Sequence, residues 1–447
     1  MSDRETWATR LGFVVAAIGS AVGLGNLWQF PFKTATNGGA AFVVFYLAAV
    51  VVVGFPAMLA EFVVGRRTNV NAVDAFGELG HRQWRVVGGL AVFTGFWILS
   101  YYNVVGGWVI RYIVGSATGA YFADPAAYFG AVSAGPEAVL AQAVFLAIVV
   151  GIVALGIEDG IEKATKVMVP SIVVLMVALA AWVATLPGAA EGYAFFLSPD
   201  IDAMVANAGT IIPFAVGQAF FTLSLGMAIM ITYSSYVGSD DNLVLDGGVV
   251  VVTNTLIGVL AGLVVFPILL TIGAEITTES GGAGALFVAT AAGFSSVPFG
   301  RVFGVVFFGV VLIAALSSAI SLLEVSVAYA NDNYGLSRPV LAAIVGVGLF
   351  LLGLPSAWDT GWLTWFDRFA YQVFLPVSVL ALVAFVGWVI GADAIDELRQ
   401  GTGGLGAVGP LWLWTLRLIV IVAILGTLAL GLNEMFLVEG ADFFQPF

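Results

Sequence analysis

The sequence predicts an all-α integral membrane protein with about eleven transmembrane helices, and three observations lead to this fold class. Of the 447 residues, 61% are hydrophobic and only 10% are charged, whereas soluble domains carry roughly 25% charged residues. The mean hydropathy is +1.05. Apolar runs of the about 20 residues that a helix needs to cross a bilayer recur along the whole chain. We therefore expect the lipid bilayer to surround most of the chain.

The charge balance is acidic and poor in lysine. The net charge is -13, and only Lys33, Lys163 and Lys166 of the 15 basic residues are lysines. Nucleic acid is therefore not an expected partner, whereas an acidic surface suits a high-salt cytoplasm, which makes a halophilic source a hypothesis. Cysteine is absent, so the sequence predicts neither disulfides nor a thiolate metal site. We expect no removable signal peptide, because no small-residue cleavage site follows the first apolar run.

Hydropathy and helix-breaking residues place the spans along the chain. Residues 1–391 form the predicted core, 410–433 an additional helix, and 434–447 an extracellular tail. The predicted spans lie at 11–32, 40–64, 86–116, 139–156, 167–186, 211–236, 246–273, 301–330, 339–353, 362–391 and 410–433.

Basic residues are distributed unevenly between the connecting segments. With the N-terminus inside, the outer loops at 117–138, 187–210, 274–300 and 354–361 contain no lysine or arginine, and Lys33 is an outer exception. The positive-inside rule then predicts a cytoplasmic N-terminus and, for an odd number of helices, an extracellular C-terminus. The basic residues on the cytoplasmic side are Arg4, Arg10, Arg66, Arg67, Arg82, Arg85, Lys163, Lys166, Arg338 and Arg399.

Two spans are interrupted near their middle. The first contains the glycine-rich stretch Gly19–Asn26, and the sixth contains Phe221–Gly226. Each opens a set of five helices, 11–186 and 211–391, which predicts a five-plus-five inverted repeat with two broken helices. In hydrocarbon, the carbonyl groups freed by unwinding need another partner, and a bound cation can supply it. The alternative is that these glycines form a GxxxG motif that only lets two helices pack closely.

Several polar side chains lie within or near the ends of the apolar spans. Buried polar groups in a membrane usually face the interior of the helix bundle and pair with one another. Neutral amide and hydroxyl oxygens suit a hard monovalent cation better than a transition metal. The alternative for each residue is an interhelical hydrogen bond worth about 0.6 kcal/mol. These residues are Asn26, Gln29, Glu61, Gln218, Asn254, Glu324 and Asp367, with the hydroxyl pair Ser317 and Ser318.

Four ordered motifs resemble the neurotransmitter:sodium symporters, in particular their prokaryotic branch. They are WATRLGFVVAAIGSAVGLGNLWQFPF, NGGAAF, GQAFFTLSLGMAIMITYSSY and ALSSAISLLE. The likeness extends from Trp7 to about Gly391. It implies a plasma-membrane protein that moves an amino acid into the cell together with one or two sodium ions by alternating access.

The resemblance also implies two sodium sites and a substrate pocket. One sodium ion would bind to the carbonyl of Ala21 and to Asn26, Thr222 and Asn254. The other would bind to carbonyls of Gly19, Val22 and Ala314 and to the hydroxyls of Ser317 and Ser318. The substrate pocket falls on Ala21, Gly25, Ile98, Tyr102, Phe221, Thr222, Ser224, Met227, Ser318 and Leu322. Small residues and a flexible apolar wall favour a neutral, apolar amino acid of medium or large size.

The gates of the family map onto both ends of the core. Arg4 and Asp332 match the inner gate pair, with Tyr236 nearby, and Phe221 would close over the substrate as the outer lid. An alternative for Arg4 is that it only anchors the chain at the cytoplasmic face.

The chain departs from the family pattern at three points. The outer gate arginine is replaced by Gln29, although its partner carboxylate is retained as Asp367, so either a hydrogen bond or Arg368 would have to substitute. Gly258 occupies the position that helps to bind chloride or supplies a carboxylate. Tyr46 and Gln218 are retained as its neighbours, so chloride dependence stays open. A twelfth helix is absent from the prediction, which leaves open whether the protein forms a homodimer.

The residues leave several other functions to be weighed. A carrier for an amine or another small zwitterion, or one coupled to protons or chloride, would use the same scaffold. A sensor that does not transport is also compatible with it. The protein is not expected to be an enzyme, because the spans contain no paired carboxylates on one face, no histidine-rich cluster and no serine–histidine arrangement.

Overall fold

The computed structural model describes residues 6–238, 240–273, 284–402 and 404–437, and these residues form helices and loops without a strand. Ten of their helices are long and apolar enough to cross a membrane, and a bent pair at the start makes an eleventh. The predicted fold class and number of spans are confirmed. The helix of the bent pair, α1, consists of Arg10–Ala21 (α1a) and Gly25–Thr36 (α1b), which meet at an angle of 41°.

The remaining spanning helices follow in chain order, with α6 divided into two parts. They are α2 (Ala40–Thr68), α3 (Arg82–Thr118), α4 (Pro136–Ala154), α5 (Ile157–Val183), α6a (Ile201–Thr222), α6b (Ile229–Ser234), α7 (Leu243–Thr271), α8 (Gly300–Asn333), α9 (Arg338–Trp358), α10 (Thr360–Ile390) and α11 (Val408–Phe436).

The helix ends differ from the predicted ones where a helix continues beyond its apolar part. The sequence predicts that the sixth span begins at 211, whereas α6a begins at Ile201 and includes Asp202 and Asn207. Hydropathy marks only the part of a helix that suits lipid, whereas the backbone hydrogen bonds continue into the aqueous boundary. The helix α9 likewise runs past Pro355 to Trp358, although the proline lacks the N–H for one hydrogen bond of the last turn.

The broken helices α1 and α6 lie at the centre of the bundle. The helix α1a packs against α5, α7 and α8, while α6b packs against α2 and α8. The most extensive contact between two helices joins α3 to α8, and α4 and α9 both pack on this pair. The helix α11 packs on α6a and α10. Both interruptions are therefore enclosed by protein and kept away from lipid.

Helix α2 approaches α6b at Gly65. A Cβ atom at this position would overlap the carbonyl oxygen of Ile231 and the hydroxyl of Ser234. Only glycine at position 65 lets the two helices come this close, because any side chain there would have to displace the backbone of α6b. The packing holds the inner half of α6 in place below its break.

We expect Gly65→Ala to lower the melting temperature of the purified protein, since overpacking a tight contact costs about 1–3 kcal/mol. The matched control is Gly89→Ala on α3, where an added Cβ would meet no atom within 4 Å. Both variants gain the same helix propensity, so the difference between them measures packing alone. Equal melting temperatures in a thermal unfolding assay would contradict the close contact between α2 and α6b.

Candidate functional site

The break in α1 releases backbone carbonyl groups in the middle of the bundle. Val22 adopts an extended conformation (φ -81°, ψ 100°). The Leu24 N–H, which in a continuous helix would donate to the Ser20 carbonyl, donates instead to Tyr102 Oη at 3.3 Å. The Asn26 N–H donates to the Gly23 carbonyl at 3.1 Å in place of that of Val22. The carbonyl oxygens of Ser20 and Val22 are thus available to other partners.

The break in α6 is held open by a buried carboxylate from α2. The Gly226 N–H donates to Glu61 Oε1 at 2.7 Å, although a continuous helix would pair it with the Thr222 carbonyl. Ser224 and Ala228 have left-handed φ angles of 55° and 61°. Such angles strain residues other than glycine and are commonly found at functional sites. Glu61 therefore stabilises an unwound segment and leaves the Thr222 carbonyl free.

Oxygen atoms converge where the two breaks face α7. One atom of the Asn254 side-chain amide lies 3.0 Å from the Ala21 carbonyl oxygen, 3.2 Å from that of Thr222 and 2.9 Å from Asn26 Nδ2. As nitrogen, this atom donates to both carbonyls, and the amide oxygen on the other side accepts from Thr222 Oγ1 at 3.2 Å. Asn26 Nδ2 also donates to the Asn254 backbone carbonyl at 3.0 Å. The four residues predicted for the first sodium ion are therefore neighbours.

A second group of oxygens lies between α1a and α8. Ser317 Oγ donates to the Ala314 carbonyl at 2.9 Å and lies 3.4 Å from that of Val22. Ser318 Oγ is also 3.4 Å from the Val22 carbonyl. A Cβ added to Gly19 would come within 3.4 Å of the Ser317 Cβ. The five residues predicted for the second sodium ion are therefore neighbours.

A cavity lies between the two breaks and the facing sides of α3 and α8. The space between the lining atoms is about 310 Å³, including any part that opens to solvent. Nine of the ten predicted substrate residues line it, and Thr222 belongs to the first oxygen group. The lining residues are Ser20, Ala21, Gly23, Leu24, Gly25, Ile98, Tyr102, Phe221, Ser224, Met227, Ser318 and Leu322.

The cavity has a polar end and an apolar end, and none of its lining residues is charged. At the polar end, Ser224 Oγ and Ser318 Oγ each donate to the Ser20 carbonyl at 2.9 Å. Tyr102 Oη accepts from the Leu24 N–H and also interacts with the Ser318 hydroxyl. Gly23 is needed here, because a Cβ would overlap Ser318 Oγ. Aliphatic and aromatic side chains form the rest of the wall.

The outer side of the cavity is closed by aromatic rings. Phe221 lies with its ring centroid 6.3 Å from that of Tyr371 on α10. Asp367 Oδ1 accepts a hydrogen bond from Tyr101 Oη at 3.0 Å, and Gln29 Oε1 is buried without a partner among the described residues. Gln29 and Asp367 therefore form no direct latch.

The inner side is closed by an aromatic cluster. Trp7 Nε1 donates to the Tyr233 carbonyl at 2.9 Å, and its ring packs edge-on against Tyr236 at 6.1 Å. Tyr236 Oη donates to Glu324 at 2.9 Å. The predicted gate residue Arg4 lies outside the described residues. Its expected partner Asp332 accepts from the backbone N–H of Asn71 at 3.1 Å and from its side-chain amide at 3.0 Å.

The residues considered for chloride lie beside the first oxygen group. Tyr46 Oη and Gln218 Oε1 are buried without hydrogen-bond partners among the described residues, and Gln218 Nε2 donates to the Gly25 carbonyl at 2.9 Å. A Cβ on Gly258 would lie 3.6 Å from Asn26 Nδ2 and 3.9 Å from Tyr46 Oη. Gly258 thus leaves room for a Cβ atom next to polar groups.

Sequence reasoning missed parts of this site. Ser20, Gly23 and Leu24 were not assigned to the cavity, although they lie in the glycine-rich break. Glu61 was recognised only as a buried polar residue. Its distance in sequence from Gly226 concealed its role, because nothing in local spacing links α2 to α6. The charge distribution singles out Lys33 as the outer exception, but sequence reasoning considers only Asp367 and Arg368 as charges of the outer gate.

Comparisons with known proteins extend over nearly the whole chain. A model described as the sodium:neurotransmitter symporter family matches residues 4–123 and 133–444. The chain is 36% identical over 445 residues to YhdH, an uncharacterized sodium-dependent transporter of Bacillus subtilis, covering 95% of this chain and 97% of that protein. It is also 36% identical to MJ1319, an uncharacterized sodium-dependent transporter of Methanocaldococcus jannaschii, over 88% of this chain and 84% of that one.

A solved structure is also similar to this chain over nearly its whole length. The crystal structure of MhsT in complex with L-phenylalanine superimposes with a TM-score of 0.86 at 39% identity, covering 96% of this chain and 99% of MhsT. The resemblance seen in the motifs is confirmed: YhdH and MJ1319 are named as sodium-dependent transporters, and the matching family consists of symporters and not of enzymes. The chain therefore belongs to the sodium:neurotransmitter symporter family.

Proposed function

We propose that the protein carries a neutral, apolar amino acid into the cell by sodium-coupled symport, with alternating access to the cavity between α1, α3, α6 and α8. The observation that carries this proposal is the meeting of the Asn254 side-chain amide with the backbone carbonyls of Ala21 and Thr222, whose oxygens lie 3.0 and 3.2 Å from one of its atoms. These oxygens come from both broken helices, and sodium is the ion that unwound carbonyls bind in such carriers.

Sodium coupling follows from the position of the oxygens next to the cavity. Ala21 lines the cavity and also contributes its carbonyl to the first oxygen group. Ser318 likewise lines the cavity and lies in the second group. An ion that orders these groups would raise the affinity for substrate, and substrate would raise the affinity for the ion by the same factor. Two groups of oxygens support coupling to two sodium ions.

The cavity favours a zwitterion of medium or large size. A cationic amine without a carboxylate would call for a negative partner, and none of the cavity residues is charged. The hydroxyl of Tyr102 and the positive dipole at the N-terminal end of α1b are suited to a carboxylate. The walls at Ile98, Met227 and Leu322 are suited to an apolar side chain. The relative MhsT binds L-phenylalanine, which supports the same substrate class.

The orientation of the proposed carrier rests on its basic residues. The basic side chains of the inner connecting segments support a cytoplasmic N-terminus and an outer C-terminus in the plasma membrane. In this orientation, the Phe221 lid faces outward and the Trp7 cluster faces the cytoplasm. Uptake of substrate would therefore follow the inward sodium gradient.

We expect large apolar amino acids to stabilise the purified protein only when sodium is present. Bound ligand raises stability by about 2.7 kcal/mol at 100 times its Kd, which a thermal-shift screen of the amino acids in NaCl detects. The control is the same screen in KCl and choline chloride. A substrate with equal shifts in all three salts would contradict sodium coupling, and uptake driven only by a proton gradient would favour the alternative carrier.

We expect Asn254→Ala to weaken sodium-dependent substrate binding by about 5- to 150-fold, the usual range of coupling between two sites. The change removes the side-chain amide that faces Ala21 and Thr222 while leaving the helix intact. The matched control is Asn207→Ala, which removes an exposed amide on α6a that only contacts its own helix. Binding of radiolabelled substrate at several sodium concentrations gives the measurement, and unchanged sodium dependence in Asn254→Ala would refute the assigned ion site.

We expect Tyr102→Phe to raise the substrate Kd roughly 10- to 100-fold, because a hydrogen bond to a charged group contributes about 1.5–3 kcal/mol. Tyr112→Phe is the matched control, since this buried tyrosine on the same helix has a hydroxyl without a partner among the described residues. The Kd of a substrate analogue that lacks the carboxylate should not change in Tyr102→Phe. A similar rise in Kd for the amino acid and for this analogue would mean that Tyr102 acts only on the backbone of α1.

A further inference from the structure

Lys33 occupies the outer side of the cavity, one helical turn beyond Gln29 on α1b. Its ammonium group lies 5.1 Å from the centre of the Phe214 ring and 5.0 Å from that of Tyr371. Both distances are within the range of a cation–π contact. Phe214 belongs to α6a and Tyr371 to α10, and Tyr371 Oη also donates to the Phe214 carbonyl at 3.2 Å. The lysine is therefore held between three helices.

Two carboxylates from different helices act on this ammonium group. Lys33 interacts electrostatically with Asp367 on α10 and with Glu434 on α11. Tyr101 Oη orients Asp367 at 3.0 Å, and Gln372 Nε2 orients Glu434 at 2.9 Å. Arg368 also acts on both carboxylates. It is exposed and belongs to α10 itself, so it cannot tie α1 to α10.

The aromatic contacts connect this charge to the lid of the cavity. Tyr371 packs against Lys33 on one side and lies 6.3 Å from the Phe221 ring on the other. A Cβ atom on Gly217 would overlap the Tyr371 ring, so α6a packs closely against this ring. A displacement of α1b that removes Lys33 from Tyr371 would therefore loosen the ring that backs Phe221.

We propose that Lys33 is the cation of the outer gate and that Asp367 and Glu434 share it, so that closure of the gate ties α1b to both α10 and α11. The arginine expected at Gln29 is thus replaced from the next turn of the same helix, which presents the same face after four residues. The C-terminal helix gains a part in gating through Glu434. This inference rests on the proposed function, because a gate is needed only if access alternates.

The experiment uses the absence of cysteine from the chain. A single reporter, Ile98→Cys, places a thiol in the cavity, where Ile98 is 1% exposed. Intact cells in sodium buffer are treated with a membrane-impermeant maleimide, and the rate of labelling measures outward opening. The reporter is combined with Lys33→Gln, Lys33→Arg and Glu434→Gln. The control is Lys163→Gln, which removes an exposed lysine whose partner Asp159 is also exposed.

We expect Lys33→Gln to accelerate labelling about five-fold, the population shift that follows when the attraction between Lys33 and the two carboxylates is lost. Lys33→Arg should remain near the parental rate because it keeps the charge. Glu434→Gln should give a smaller increase, and Lys163→Gln should give none. Equal rates in Lys33→Gln and Lys163→Gln would overturn the assignment of Lys33, and an unchanged rate in Glu434→Gln would remove α11 from the gate.

Two further measurements separate this inference from the proposed function. The melting temperature of each purified variant identifies loss of folding, and Lys33→Arg shows whether charge restores closure. Sodium-dependent substrate stabilisation of the parent protein tests the carrier itself. If that stabilisation is present while Lys33→Gln leaves labelling unchanged, the gate assignment fails and the proposed function stands. If it is absent, the proposed function fails irrespective of the labelling rates.

Discussion

Backbone groups without hydrogen-bond partners cannot remain in the apolar layer of a membrane, where each one costs several kcal/mol. Two central helices of this protein are nevertheless interrupted in that layer, and the rest of the site supplies partners for the freed groups. Tyr102 accepts from Leu24 in α1, and Glu61 accepts from Gly226 in α6. Both caps satisfy N–H groups and leave carbonyl oxygens exposed. The surrounding helices therefore create a place where a cation is stabilised.

The two oxygen groups and the cavity share residues, and this sharing is the physical basis of the proposed coupling. The Ser20 carbonyl accepts from both Ser224 and Ser318, so a ligand that attracts either hydroxyl changes the surroundings of α1. Ala21 and Ser318 each belong to the cavity and to an oxygen group. A substrate and an ion bound there would stabilise the same conformation of the breaks. The affinity for the substrate and the affinity for the ion would then rise together, because both ligands act on the same residues.

The two ends of the cavity are closed by different means. At the inner end, Trp7 inserts between tyrosines of the α6b region, and Tyr236 connects them to Glu324. At the outer end, Phe221 and Tyr371 form the barrier, and the charge comes from a lysine held by rings. Aromatic contacts exclude water from the cavity, whereas partly screened charges keep closure reversible. A carrier needs both properties, because each gate must hold and then release.

The amino-acid sequence by itself determined the membrane fold, the eleven spans and the two breaks, because hydropathy and helix propensity act over short stretches of chain. Its motifs also indicated the family and the residues proposed for the ions. Only the tertiary structure decided which partner each freed group takes. Glu61 and Gly226, Leu24 and Tyr102, and Lys33 and Tyr371 are far apart along the chain, and no local pattern records their distances. The position of Lys33 depends on where α10 and α11 pack, which is a property of the assembled bundle.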